Sequence, residues 1–210
     1  MQTAGQILQL IRNGSCRTRK ELIEFTGLSR STITDRVDRL IEAGYIHESG
    51  VASSGGGRPP SVLDINARGR LVLAADLGAT HARVALTDLA ARPLAEEFTE
   101  MRIELGPEPV LSWVRHAFQR LLDRTGHSVS EVCGIGLDLP GSVDHASGRV
   151  IRSFLMPGWD DHPVAAVMGA HFDVPILIEN DAKAMALGEW WLAWRRSEEH
   201  TSELQSQNRI

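Results

Sequence analysis

The sequence predicts an α/β chain in two parts, a small helical unit closed by a β-ribbon and a larger unit in which three strands precede alternating helices and strands. Three observations carry this. Apolar residues recur at helical spacing up to about residue 43, and from about residue 70 apolar runs of strand length alternate with helical patterns. Between them falls VASSGGGRPP, rich in glycine and ending in two prolines. At 210 residues the chain has room for a small domain joined to a medium one, and its 42% hydrophobic and 23% charged residues exclude wholesale disorder, collagen and a disulfide-dense scaffold.

In the first part, Ile7, Leu10 and Ile11 mark a helix over residues 4–13 that Gly14 and Ser15 end. Thr18 and Glu21 form a capping box for a second helix, with Leu22, Ile23 and Phe25 as its apolar contacts and Gly27 as its stop. Ser29 caps a third helix reaching Ala43, whose Ile33, Val37, Leu40 and Ile41 form one buried stripe. The opposite face carries Ser31, Thr32, Asp35 and Arg39, with Arg30 and Arg36 at its edges. That is the polar surface a recognition helix offers to the major groove. Residues 45–48 and 61–65 are short strands joined by the glycine loop, so residues 1–66 read as a winged helix-turn-helix, with Arg58 near the wing tip as a minor-groove contact.

In the second part, Leu71 to Ala75 is an apolar run ending at Asp76, and after Leu77-Gly78-Ala79-Thr80 the alternation of Ala82, Val84 and Leu86 with polar residues makes a β-hairpin. A third strand, acidic and therefore at an edge, spans Leu94 to Ile103. A helix from Pro109 to Arg124, a strand from Val132 to Leu137, a helix from Pro163 to Phe172, a strand from Val174 to Ile178 and a helix from Ala182 to Trp194 complete the order βββαβαβα. This order is that of one ribonuclease-H-like lobe, the half-unit of the actin and sugar-kinase superfamily.

Chemistry concentrates in three loops. In the D-L-G-A-T turn, Gly78 lets backbone approach a phosphate, Thr80 offers a hydroxyl and Asp76 is placed to hold hydrated Mg²⁺; an ordinary glycine hairpin is the competing reading. L-P-G-S-V-D, followed by P-G-W at Pro157 to Trp159, lies at a strand's C-terminal end, where Gly141 would admit a sugar hydroxyl to the backbone. In E-N-D-A, Asn180 and Asp181 are placed to hydrogen-bond sugar hydroxyls, Asp181 also as a general base, while helix N-capping by Asp181 explains the same residue without a ligand.

Charge separates the two parts. Residues 1–70 hold ten Lys+Arg against seven Asp+Glu, and residues 71–210 hold twelve against twenty, so a small basic unit precedes an acidic one. The two cysteines, Cys16 and Cys133, fall in different parts, which indicates neither a disulfide staple nor a thiol metal site and fits a reducing cytoplasm. No metal-ligand set is expected in this chain. Arg12 and Asn13 interrupt any signal-peptide core, and no apolar run nears the roughly 18 residues of a membrane span, so neither export nor anchoring is expected.

Together, LSRSTITDRVDRLIEAGYI, GGGRPP, DLGATHARVALTD, GIGLDLPGSVDHASGRV, PGWDDHP and ENDAKAMALGE resemble, in order, the ROK family of repressors and sugar kinases, specifically its transcriptional branch. The resemblance runs from about residue 4 to about 195. It implies a cytoplasmic regulator, most often a repressor of carbohydrate metabolism, that binds a double-stranded DNA operator as a homodimer or higher oligomer and senses a sugar or sugar phosphate. By that likeness Asn180 and Asp181 are sugar contacts and Asp76, Gly78 and Thr80 a phosphate loop. DNA binding then requires no cofactor. The alternative it implies is an ATP-dependent sugar kinase using Mg²⁺, with Asp181 catalytic. The kinase branch usually has Gly at Ala79 and Asn at Lys183. The family's second lobe, with its Glu-Gly-His sugar motif and cysteine-rich zinc site, is expected beyond residue 195, so residues 70–195 correspond to the first lobe only. Residues 196–210 open with RSEEHTSELQS, the in-frame translation of a common sequencing adapter, and are expected to be an artefact tail.

Overall fold

The computed structural model describes residues 3–51, 61–151, 156–191 and 193. They divide into two compact units, one comprising residues 1–72 with two short returns of chain at 87–94 and 130–133, the other the remainder.

Three helices open the first unit: α1 (Ala4–Arg12), α2 (Arg19–Thr26) and α3 (Arg30–Glu42). Each starts on a hydroxyl cap. Thr3 with Gln6 and Thr18 with Glu21 make full capping boxes, and Ser29 accepts from the Thr32 amide. Each such cap stabilises its helix by about 1 kcal/mol. Gly27 ends α2 in the left-handed region at φ 68°, a conformation side chains resist, and so permits the tight turn into α3. Ile7, Leu22, Ile33 and Val37 are fully buried in one cluster with Ile46 and Leu63. Phe25, expected to join that core, is instead 63% exposed because it falls on the outer face of the short α2.

Ile46 and Leu63 belong to the antiparallel ribbon of β1 (Ile46–Val51) and β2 (Ser61–Ile65). The ribbon runs in regular register from Ile46↔Ile65 to Glu48↔Leu63, then shifts at Ser49 before Gly50↔Val62 resumes. This is a one-residue β-bulge. Ser49 Oγ donates to Asp64 Oδ2 across the ribbon.

The second unit is built on a five-stranded sheet ordered β5-β4-β3-β6-β9, from β3 (Leu71–Leu77), β4 (His81–Asp88), β5 (Pro93–Glu100), β6 (Val132–Leu139) and β9 (Ile176–Asn180). The connections of three residues between β3 and β4 and four between β4 and β5 require antiparallel pairing, whereas β6 and β9 run parallel. The helix α4 (Pro107–Thr125) lies between β5 and β6, and the small hairpin β7 (Ser142–Asp144) and β8 (Arg149–Ile151) with α5 (Val164–Gly169) lies between β6 and β9. A final helix, α6, covers 181–191.

Alternate residues of the strands, among them Leu73, Leu77, Val84, Leu86, Leu137 and Ile178, are buried with Val114, Phe118 and Leu121 of α4. Phe118 meets Phe172 edge-on. Trp159 is fully buried, its Nε1 donating to the Ile103 carbonyl at 2.9 Å, so the P-G-W loop is a packing element.

The third strand ends at Glu100 rather than Ile103, because the chain there folds into a 3-10 turn over Ile103–Leu105. The strand expected to stop at Leu137 continues to Leu139 and is followed by the β7–β8 hairpin, which no sequence pattern announced. The helix expected from Pro163 to Phe172 is the shorter α5. Leu187 and Trp190, expected at packing spacings, are 61% and 65% exposed.

Candidate functional site

Two surfaces collect the residues singled out by the sequence. On the first unit, Ser29, Arg30, Ser31, Thr34, Asp35 and Asp38 line a shallow, open groove along the outer face of α3. Their spacing is helical, and Ile33, Val37 and Leu40 on the opposite face fix it by burial. Arg30 and Ser31 are exposed as expected. Thr32 is half-buried and turned into the cap, its Oγ1 2.8 Å from Ser29 Oγ, while Arg36 is half-buried on the flank. Arg39 is exposed but paired with Asp35 at 3.1 Å. Arg58 lies outside the described residues.

The sequence reading missed Arg19, Thr34 and Asp38. Arg19, the first residue of α2, pairs with Asp38 of α3 at 2.8 Å and with Glu48 of β1. Burial works against its charge, and the hydrogen bonds it donates to Glu48 and Asp38 more than offset this, so it stays firmly cationic. No spacing rule relates three residues on three elements.

On the second unit, the ends of β3, β6 and β9 bring together Asp76, Gly78, Asp138, Gly141, Asn180 and Asp181. Parallel pairing sets Asp138 opposite Glu179 and Leu139 opposite Asn180, so the loops leave both strands at one level. Asn180 Nδ2 donates to the Gly141 carbonyl and to Asp181 Oδ1, each at 3.1 Å. Its Oδ1 accepts from the Lys183 amide at 3.3 Å, so Asn180 caps α6, and Asp181 accepts from the Ala182 amide at 2.7 Å. The position a Cβ on Gly141 would take is filled by Met156 Cε, 2.7 Å away, and Leu139 Cδ1, 3.1 Å away. The glycine therefore meets a packing need whether or not a ligand comes near.

The carboxyl of Asp138, also missed, is pushed up to about 7 by burial first, then by the neighbouring charges of Asp76 and Asp181. Its Oδ1 is buried with no hydrogen-bond partner. The residue stands on a face of the sheet lined by Ala74, Ala85, Gly136 and Leu177, where a cavity of about 410 Å³ reaches Leu187 of α6.

In the D-L-G-A-T turn a neighbouring side chain lies against Gly78. His81 folds back so that its ring occupies the space a Cβ on Gly78 would need, with Nε2 3.5 Å from Asp76 Oδ2. The ring also stacks on Phe98, centroids 6.0 Å apart. The His81 side chain would have to turn aside before a phosphate could meet the backbone at Gly78. Thr80 is exposed, its carbonyl accepting from the Met101 amide at 3.1 Å. Among the described residues no three His, Cys, Asp or Glu side chains are grouped to hold a metal ion, and no helix is long and apolar enough to cross a membrane.

A winged helix-turn-helix followed by one lobe of sugar-kinase type defines a class of sugar-linked regulators and kinases. Residues 72–202 match the ROK family and residues 2–47 match a winged helix-turn-helix DNA-binding domain; the chain belongs to the ROK family. It is 28% identical to the xylose repressor of Caldicellulosiruptor bescii over 88% of its own length and 46% of that protein's. The crystal structure of a ROK family transcriptional regulator, a homologue of the E. coli Mlc protein, superposes with a TM-score of 0.72 at 26% identity, covering 89% of this chain and 47% of that one. A ROK glucokinase from Streptomyces griseus shares the fold at TM-score 0.50 and 23% identity, over 57% of this chain and 36% of that one. The chain spans about half the length of the curated relatives it matches.

Proposed function

We propose that the chain is the DNA-binding and part of the effector-sensing portion of a cytoplasmic transcriptional repressor of carbohydrate metabolism. The observation that carries this reading is the exposed polar face of α3, presented beside a β-ribbon and joined in one polypeptide to a lobe of the sugar-kinase type. The groove-facing end of α3 and Arg58 would contact duplex DNA. Asn180, Asp181 and the Gly141 backbone would contact sugar hydroxyls, and relatives named xylose repressors make xylose the first sugar to test. The whole protein would act as a homodimer or higher oligomer. Kinase chemistry receives less support, because His81 covers Gly78.

The test is selection of bound duplexes from a randomised pool by the 210-residue chain, followed by footprinting of the enriched sequence. A single enriched sequence is expected, with affinity falling steeply as salt rises and lowered by Arg36→Ala or Arg58→Ala. Failure to enrich any sequence refutes the reading.

A further inference from the structure

We infer that Arg19 serves DNA binding as a counter-charge, masking the Asp38 carboxylate on the groove side of α3 while tying that helix to β1. The inference rests on the DNA-binding reading of the same unit. Asp38 lines the groove that carries Arg30, Ser31 and Thr34, so a duplex seated along α3 would meet its carboxylate. Carboxylates facing phosphates repel them, and the α3 groove holds two, Asp35 and Asp38. Each has an arginine partner. Arg39, four residues on, pairs with Asp35 from the same helix. Arg19 reaches Asp38 from another helix and does more, since its other amino group donates to Glu48.

Exposure separates the partners. The arginine side chain is 28% exposed, against 51% for Asp38 and 43% for Glu48. The cation is thus tucked beneath its two anions, so what a duplex meets is Asp38, neutralised from below. Arg19 is therefore a positioning residue whose charge acts through Asp38, and the trio carries a net charge of −1.

That count yields opposite effects for the two halves of one ion pair. Arg19→Ala takes the trio to −2 and weakens binding to any duplex, roughly tenfold at moderate salt. Asp38→Asn takes it to 0 and tightens binding several-fold, more so at low salt than at high, because the repulsion it removes is screened. The double variant restores −1 and returns affinity to within about threefold of the unchanged chain. A clamp that only holds structure predicts weakening in both single variants.

The experiment is fluorescence anisotropy with the 210-residue chain on the duplex enriched by selection and on a scrambled duplex of equal length, over a salt series, with thermal midpoints as the folding control. Asp38→Asn keeps the Arg19–Glu48 pair and remains informative even if Arg19→Ala unfolds. Weaker binding by Asp38→Asn, unchanged binding by folded Arg19→Ala, or a double variant as weak as Arg19→Ala overturns the inference. If the unchanged chain binds neither duplex, the regulator reading fails instead.

Discussion

Val37, midway along α3, and Leu187, midway along α6, are both aliphatic residues on regular helices, yet the first is fully buried and the second is 61% exposed. The same contrast holds between the two units. In the first, three short helices and a ribbon close around Ile7, Leu22, Ile33, Ile46 and Leu63, each within 1% of complete burial. In the second, one face of the sheet is packed as tightly, while Leu177, Met185, Leu187 and Trp190 stand 61–71% exposed along the other face and α6. A helix that is apolar on nearly all sides is normally a buried one. The lesson is that local pattern specifies an element, and burial must come from something else.

The contrast can be broken first in the closed cores. Trp159→Ala, which removes a fully buried ring and its bond to Ile103, is expected to cost about 3–5 kcal/mol, and Ile33→Ala about 2–5 kcal/mol, read from denaturant midpoints. Losses well under 1 kcal/mol would show that neither core is as closed as described.

Asp138 offers a pH-dependent test on the open face. Its folded value of about 7 lies above the 3.8 of an ordinary aspartic acid. Between those pH values the folded chain holds a proton that the unfolded chain has released, so stability falls as pH rises through the window. Asp138→Asn should therefore raise the thermal midpoint at pH 8 and do little at pH 4, a gain of about 1–3 kcal/mol at the higher pH. Equal shifts at both pH values would refute the assignment.

Smaller effects sharpen the comparison. Thr18→Ala removes the capping-box hydroxyl of α2 and should cost about 1 kcal/mol in a thermal melt. Trp190→Ser on the exposed side of α6 should change stability by no more than about 0.5 kcal/mol while raising solubility, measured as the concentration at which light scattering begins. A large destabilisation by Trp190→Ser would place that side chain in a packed environment.

The first unit was legible in the sequence because its signals are local. T-x-x-E, Ser29 and Gly27 punctuate helices directly, and the Ile33, Val37, Leu40 stripe reads at one period. The sheet of the second unit was legible through the apolar runs of β3 and β6 and the alternation in β4. The β7–β8 hairpin was not, since three-residue strands have no period to detect. The site residues divide in the same way. Asn180 and Asp181 announced themselves at a strand-to-helix junction, although the cap proved to be Asn180 rather than Asp181. Asp138 was hidden in an apolar strand, where its environment comes from Asp76 and Asp181 on other elements. The placement of His81 over Gly78 and the reach of Arg19 across three elements depend on side-chain direction, which spacing alone does not give.

The one-residue shift at Ser49 separates two properties of the β-ribbon that would otherwise be linked. Deleting Ser49 leaves every paired partner from Ile46 to Val51 as it was and removes the bend, so which residues pair and how the ribbon curves are encoded at different positions.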